Sequence, residues 1–85
     1  MIKLFVSSKC PDCPPAIDAF KKSNLNYEII DITESMVNLK AYLKLRDFEP
    51  YFGVAKLNNK VGIPLIQKED GSLLPYTADL NLEEL

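Results

Sequence analysis

Hydrophobic and polar side chains alternate at the start of the chain, with Ile2, Leu4 and Val6 on one face of an extended segment and Lys3, Phe5 and Ser7 on the other. A period of two describes a strand, and an aromatic ring on the second face predicts a central strand covered on both sides. The period then changes. Cys13, Ala16, Ile17 and Phe20 recur at i, i+3, i+4 and i+7 while Asp18, Lys21 and Lys22 fall elsewhere, which predicts an amphipathic helix ending near Ser23 or Asn24. Pro11, Pro14 and Pro15 crowd its start, and an irregular or kinked first turn is expected there. Tyr27–Ile32 reads as a second strand, rich in β-branched residues and parallel to the first through a right-handed crossover. Thr33 or Ser35 can cap a second helix running to about Leu45, with Met36, Leu39 and Leu43 as its apolar row and Lys40, Lys44 and Arg46 on its solvated side.

Pro50 and Gly53 punctuate residues 47–60, where a short helix from Pro50 to Leu57 would give Tyr51, Phe52, Val54 and Leu57 some cover. Leu65–Lys68 and Leu73–Leu74 flank Asp70-Gly71, a dipeptide suited to positive φ, and so predict a hairpin. Leu80, Leu82 and Leu85, with Asp79 or Asn81 as a cap, predict a short terminal helix.

The 85 residues, 47% hydrophobic and 26% charged, suit one globular domain spanning 1–85. Ten basic and twelve acidic side chains give a net charge of −2 without a basic block, so nucleic acid is not an expected partner. The apolar run at Met1–Val6 is too short for a signal peptide and nothing reaches membrane-spanning length, so a cytoplasmic protein without a membrane partner is expected. Thiols are kept reduced in that compartment, where a vicinal pair more often cycles than staples.

The chain has two cysteines, Cys10 and Cys13, at the predicted strand-to-helix junction. Unpaired N–H groups and the positive end of a helix stabilise a thiolate placed there, which makes Cys10 the expected nucleophile. Cys13 is close enough to displace whatever Cys10 captures. Lys9 favours the Cys10 thiolate and Asp12, between the cysteines, opposes it. A CxxC also occurs in zinc sites and structural disulfides. Zinc lacks its remaining ligands in a chain with no histidine and no third cysteine, so no metal site is expected. A disulfide closing so small a loop would add little stability. Redox exchange is the favoured reading of the three.

Gly62-Ile63-Pro64 precedes the third predicted strand, where a proline belongs at an edge or a turn. The order strand, Cys-Pro-Asp-Cys, helix, strand, helix, Ile-Pro-strand, Asp-Gly hairpin, helix resembles glutaredoxins and the wider thioredoxin superfamily over nearly the whole chain. The resemblance implies an α/β thioredoxin-like, three-layer fold with a four-stranded mixed sheet flanked by helices. It implies a cis Pro64 facing the dithiol, Ile63 pairing its backbone with an extended substrate, and Lys9, Pro11 and Asp12 beside that substrate. Asp79 matches the acidic residue that receives the glutathione ammonium, and a helix cap is its alternative role. Three positions depart from the family pattern: Ser7 stands where a lysine is common, Pro75-Tyr76 replaces Gly-Gly, and Gly62-Ile63-Pro64 replaces Thr-Val-Pro. They fall on glutathione contacts and leave the dithiol intact.

By the same resemblance the chain is a monomeric thiol-disulfide oxidoreductase without a tightly bound cofactor. It would act on a disulfide-containing protein or a glutathione mixed disulfide and be recharged by glutathione or by thioredoxin reductase. A dimeric iron-sulfur carrier and a non-catalytic binding module are the alternatives. Tyr51, Phe52 and Tyr76 are open to two readings, a partner groove or cover for the core.

Overall fold

Alternation in the first strand decides the architecture. In the computed structural model, which describes residues 1–85, β1 (Ile2–Val6) lies inside a four-stranded sheet of order β2-β1-β3-β4. β2 (Tyr27–Asp31) runs parallel to β1, and β3 (Leu65–Gln67) and β4 (Leu73–Pro75) complete it by antiparallel pairings. Ile2, Leu4 and Val6 join Ile66 in a cluster with Cys13, Ala16 and Phe20 of α1 (Cys13–Lys21) and with Leu82. Phe5 and Leu65 point the other way, into a cluster with Ile32, with Tyr42 of α2 (Met36–Phe48) and with Phe52. Helices therefore cover both faces, which is the thioredoxin-like three-layer arrangement expected. A 3-10 turn (Pro50–Phe52) leads directly into α3 (Gly53–Leu57), matching the short helix read from residues 50–57. No helix is long and apolar enough to cross a membrane.

Several local expectations are corrected. α1 is regular from Cys13, because Pro14 and Pro15 fall in the first turn, where an N–H has no intrahelical partner to lose. Ser35 caps α2, its Oγ accepting from the Asn38 N–H at 3.1 Å, but of the Met36, Leu39, Leu43 row only Leu39 packs against the core. Met36 is 65% exposed and Leu43 36%, while Tyr42 has no exposed surface. Arg46 is not a free solvated charge, since its guanidinium binds the Lys60 and Val61 carbonyls. In the hairpin only Gly71 adopts positive φ (90°), with its N–H donating to the Lys68 carbonyl at 2.9 Å, so Asp70 does not share the left-handed conformation. Asp70 instead accepts from the N–H and hydroxyl of Ser72. The expected terminal helix is a single 3-10 turn, Leu82–Glu84, capped by Asn81.

Candidate active site

The loop from β1 into α1 is tied to the end of β2 by side chains. Thr33 Oγ1 donates to Asp31 Oδ1 at 2.8 Å, which leaves it to accept from Ser7 Oγ, also at 2.8 Å. Ser7 Oγ in turn accepts the Lys9 N–H at 3.1 Å, and Asp31 takes the Thr33 and Ser8 N–H groups. Hydrogen bonds from the Thr33 hydroxyl and N–H, with a further contribution from Ser8, hold the Asp31 carboxyl below the ordinary carboxylate range. Ser7 is buried, and its carbonyl accepts the Cys10 N–H at 3.1 Å. The position where a lysine is common is thus part of the loop's internal scaffold.

Both cysteines are free thiols in unlike surroundings. Cys10 is partly exposed, whereas Cys13 is fully buried among α1 and β1 side chains. Burial pushes the Cys13 thiol from 9.0 up to about 12. Its hydrogen bond to Cys10 and the charges of Cys10 and Asp12 add to the rise, against an opposing hydrogen bond from the Ser7 backbone. Cys10 stands three residues ahead of α1 rather than on it. Of the first three helical residues only Cys13 has an N–H, and it donates to the Cys10 carbonyl at 3.4 Å. The two prolines thus remove donors that the expected thiolate site would have used.

Lys9, Cys10, Pro11, Asp12 and Ile63 line one cleft of about 780 Å³. A second cleft of about 700 Å³ shares Asp12 and Ile63 with it and extends past Pro64 to Tyr51, Tyr76 and Val54. The Ile63–Pro64 peptide bond is cis. Neither the N–H nor the C=O of Ile63 is taken by another backbone group. Asp79 lines neither cleft, and its carboxylate accepts the Thr77 hydroxyl at 2.8 Å. Tyr51 and Tyr76 do line the second cleft, whereas Phe52 is core.

Lys60 lines both clefts, a placement that no spacing rule anticipates. Its one sequence signal is proximity to the Gly62-Ile63-Pro64 triplet. Thr33 also lines the Cys10 cleft, and in the sequence it is legible only as a helix cap.

A family model described as Glutaredoxin matches residues 2–49, which include both cysteines and end before Ile63. An uncharacterized protein of Haemophilus influenzae is 31% identical over 71 residues, an overlap of 84% of this chain and 83% of that protein. No solved structure matches the chain.

Proposed function

The chain belongs to the glutaredoxin family, and from that premise we propose that it is a small dithiol oxidoreductase in which Cys10 attacks a disulfide and Cys13 resolves it. The observation that carries this reading is the asymmetry of the two sulfurs, one partly exposed at the cleft, the other fully buried where a thiolate is disfavoured. In the first step the Cys10 thiolate attacks one sulfur of the substrate disulfide. That S–S bond breaks, one substrate thiol leaves and Cys10 is joined to the other in a mixed disulfide. In the second step Cys13 gives up its proton and its sulfur attacks Cys10 Sγ. The mixed disulfide breaks, the second substrate thiol leaves and a Cys10–Cys13 disulfide remains, so two electrons have passed to the substrate. Two thiols of the reductant then restore the dithiol.

Substrate backbone would pair with Ile63, whose amide groups have no other backbone partner, beside Pro64. Lys9, Pro11 and Asp12 would contact the substrate in the cleft they share with Ile63. Asp79 is assigned no substrate contact in this reading, consistent with its hydrogen bond to Thr77. Both core clusters share one sheet, which supports treating residues 1–85 as a single unit. The substrates are protein disulfides and glutathione mixed disulfides. Glutaredoxins generally use glutathione as reductant, and for this chain glutathione with its reductase is to be compared with a thioredoxin reductase. Cys10→Ser should abolish insulin reduction, and Cys13→Ser should still accumulate a mixed disulfide visible by mass spectrometry. Turnover by Cys10→Ser would overturn the assignment.

A further inference from the structure

We infer that Tyr42 and Arg46 of α2 are positioning residues for the substrate: they hold the carbonyls of Lys60 and Val61 and so set the place of Ile63. The inference rests on the reading of Ile63 given above and adds what fixes it.

Residues 58–64 join α3 to β3 without regular structure of their own. Toward α3 the segment is tied by its own backbone, the Lys60 N–H donating to the Ala55 carbonyl at 2.8 Å. Toward α2 it is tied by side chains. Tyr42 Oη donates to the Val61 carbonyl at 2.8 Å, Arg46 Nε to the same carbonyl at 3.2 Å, and an Arg46 terminal nitrogen to the Lys60 carbonyl at 2.7 Å. A cleft of about 280 Å³ lies between α2 and this segment. At residues 59–61 the hydroxyl and guanidinium that cross this gap therefore supplement the apolar packing, which resumes at Ile63 against both core clusters.

Those two groups are themselves well located. Tyr42 is fully buried, with its ring 5.5 Å from that of Phe5 and 5.8 Å from that of Phe52. The planar fork of Arg46 presents donors on separate nitrogens to two neighbouring carbonyls in fixed geometry, where a lysine offers rotatable donors on a single nitrogen. A second observation agrees. Gly62 has φ of 95°, and a Cβ added there would lie 3.0 Å from Tyr42 Oη and 3.2 Å from Phe52. The backbone just before Ile63 thus rides directly on the same aromatic pair. Neither Tyr42 nor Arg46 lines the cleft containing Cys10, so both act through the segment they hold. Backbone pairing demands that donor and acceptor be placed to within a fraction of an ångström, and a small displacement of Ile63 should weaken substrate capture more than sulfur chemistry.

The test compares Arg46→Ala, Arg46→Lys and Tyr42→Phe in the full chain. Steady-state insulin reduction, the rate of Cys10 alkylation and the amide hydrogen exchange of Lys60, whose N–H is held by the Ala55 carbonyl, are measured for each. Arg46 supplies two of the three hydrogen bonds, so Arg46→Ala should raise KM about thirtyfold and Tyr42→Phe about fivefold, given about 1 kcal/mol for a typical net hydrogen bond. Arg46→Lys should fall between wild type and Arg46→Ala. In every variant kcat should stay within about twofold and Cys10 alkylation should be unchanged, while Lys60 exchange accelerates in step with KM. Unchanged KM and unchanged Lys60 exchange in folded variants would overturn the inference, as would equal losses in alkylation rate. Failure of the wild-type protein to reduce any disulfide would instead overturn the proposed function, and the exchange measurement would still decide the role of the two side chains. Should Tyr42→Phe not fold, the two Arg46 variants carry the comparison.

Discussion

Cys10 and Cys13 are three positions apart, and what distinguishes them is depth. The CxxC spacing placed the pair at the start of a helix and the i, i+3, i+4, i+7 stripe placed Cys13 on its buried side, where it is found. The sequence could not show how strongly burial would disfavour the Cys13 thiolate, because that depends on the strands and turn packed over it. With its folded pKa raised from 9.0 to about 12, Cys13 stabilises the reduced fold fully below pH 9. That contribution should be lost as pH rises from 9 toward 12, since the unfolded chain releases the proton first. Urea denaturation of the Cys10→Ser variant across that range should show falling stability that Cys13→Ala in the same background removes. The same burial governs catalysis. Resolution of the mixed disulfide should accelerate about tenfold per pH unit from neutrality upward, in proportion to Cys13 thiolate. Single-turnover release of the second substrate thiol measures it, and a flat profile would show that Cys13 loses its proton before the attack. Ser7 offered only a missing lysine at the level of sequence. Its hydrogen bond to Thr33, 26 residues away, is invisible to any local pattern.

At the scale of elements, strands and the first helix followed their periods closely, while α2 did not. Of the apolar row read along Met36, Leu39 and Leu43 only Leu39 meets the core, and the helix is turned so that Tyr42 is its buried residue while Met36 and Leu43 are exposed. A tyrosine is hard to place from sequence, since its ring favours the core and its hydroxyl needs a partner. Here the Val61 carbonyl provides that partner. The Asp-Gly signal located the hairpin correctly but not its geometry, because Asp70 uses its carboxylate to bind Ser72 rather than adopting positive φ itself. Gly71 and Gly62 share positive φ but differ in surroundings, and the pair gives a sharp comparison. Nothing lies within 4 Å of a Cβ at Gly71, so Gly71→Ala should cost only backbone strain, about 1 kcal/mol. Gly62→Ala adds a collision with Tyr42 and Phe52 and should cost measurably more in chemical denaturation. Equal losses at the two positions would mean that the contact on the aromatic pair is readily relieved.

For the whole molecule, the two-sided sheet was legible from a single residue, Phe5 on the second face of β1, because a ring there demands a covering layer. The clefts were not, since they arise where the β1–α1 loop, α3 and residues 58–64 converge from distant parts of the chain. Their charge also runs against the molecule's. The chain carries a net −2, yet Lys9 and Lys60 line the Cys10 cleft with Asp12 as the acidic residue there. Local sign rather than net charge should therefore govern the approach of a charged disulfide, since charges beyond about 10 Å are largely screened at 0.1 M salt. Replacing both lysines (Lys9→Glu with Lys60→Glu) should slow reduction of a dianionic aromatic disulfide about fivefold at low salt, and Asp12→Asn should accelerate it. Neither change should much alter the rate with neutral hydroxyethyl disulfide, and the differences should close toward 1 M salt, where the screening length falls to about 3 Å. Stopped-flow measurement with both disulfides separates steering from damage to the dithiol. Parallel slowing with the neutral and dianionic compounds would place the lysines' effect on Cys10 chemistry or loop structure and remove the electrostatic account.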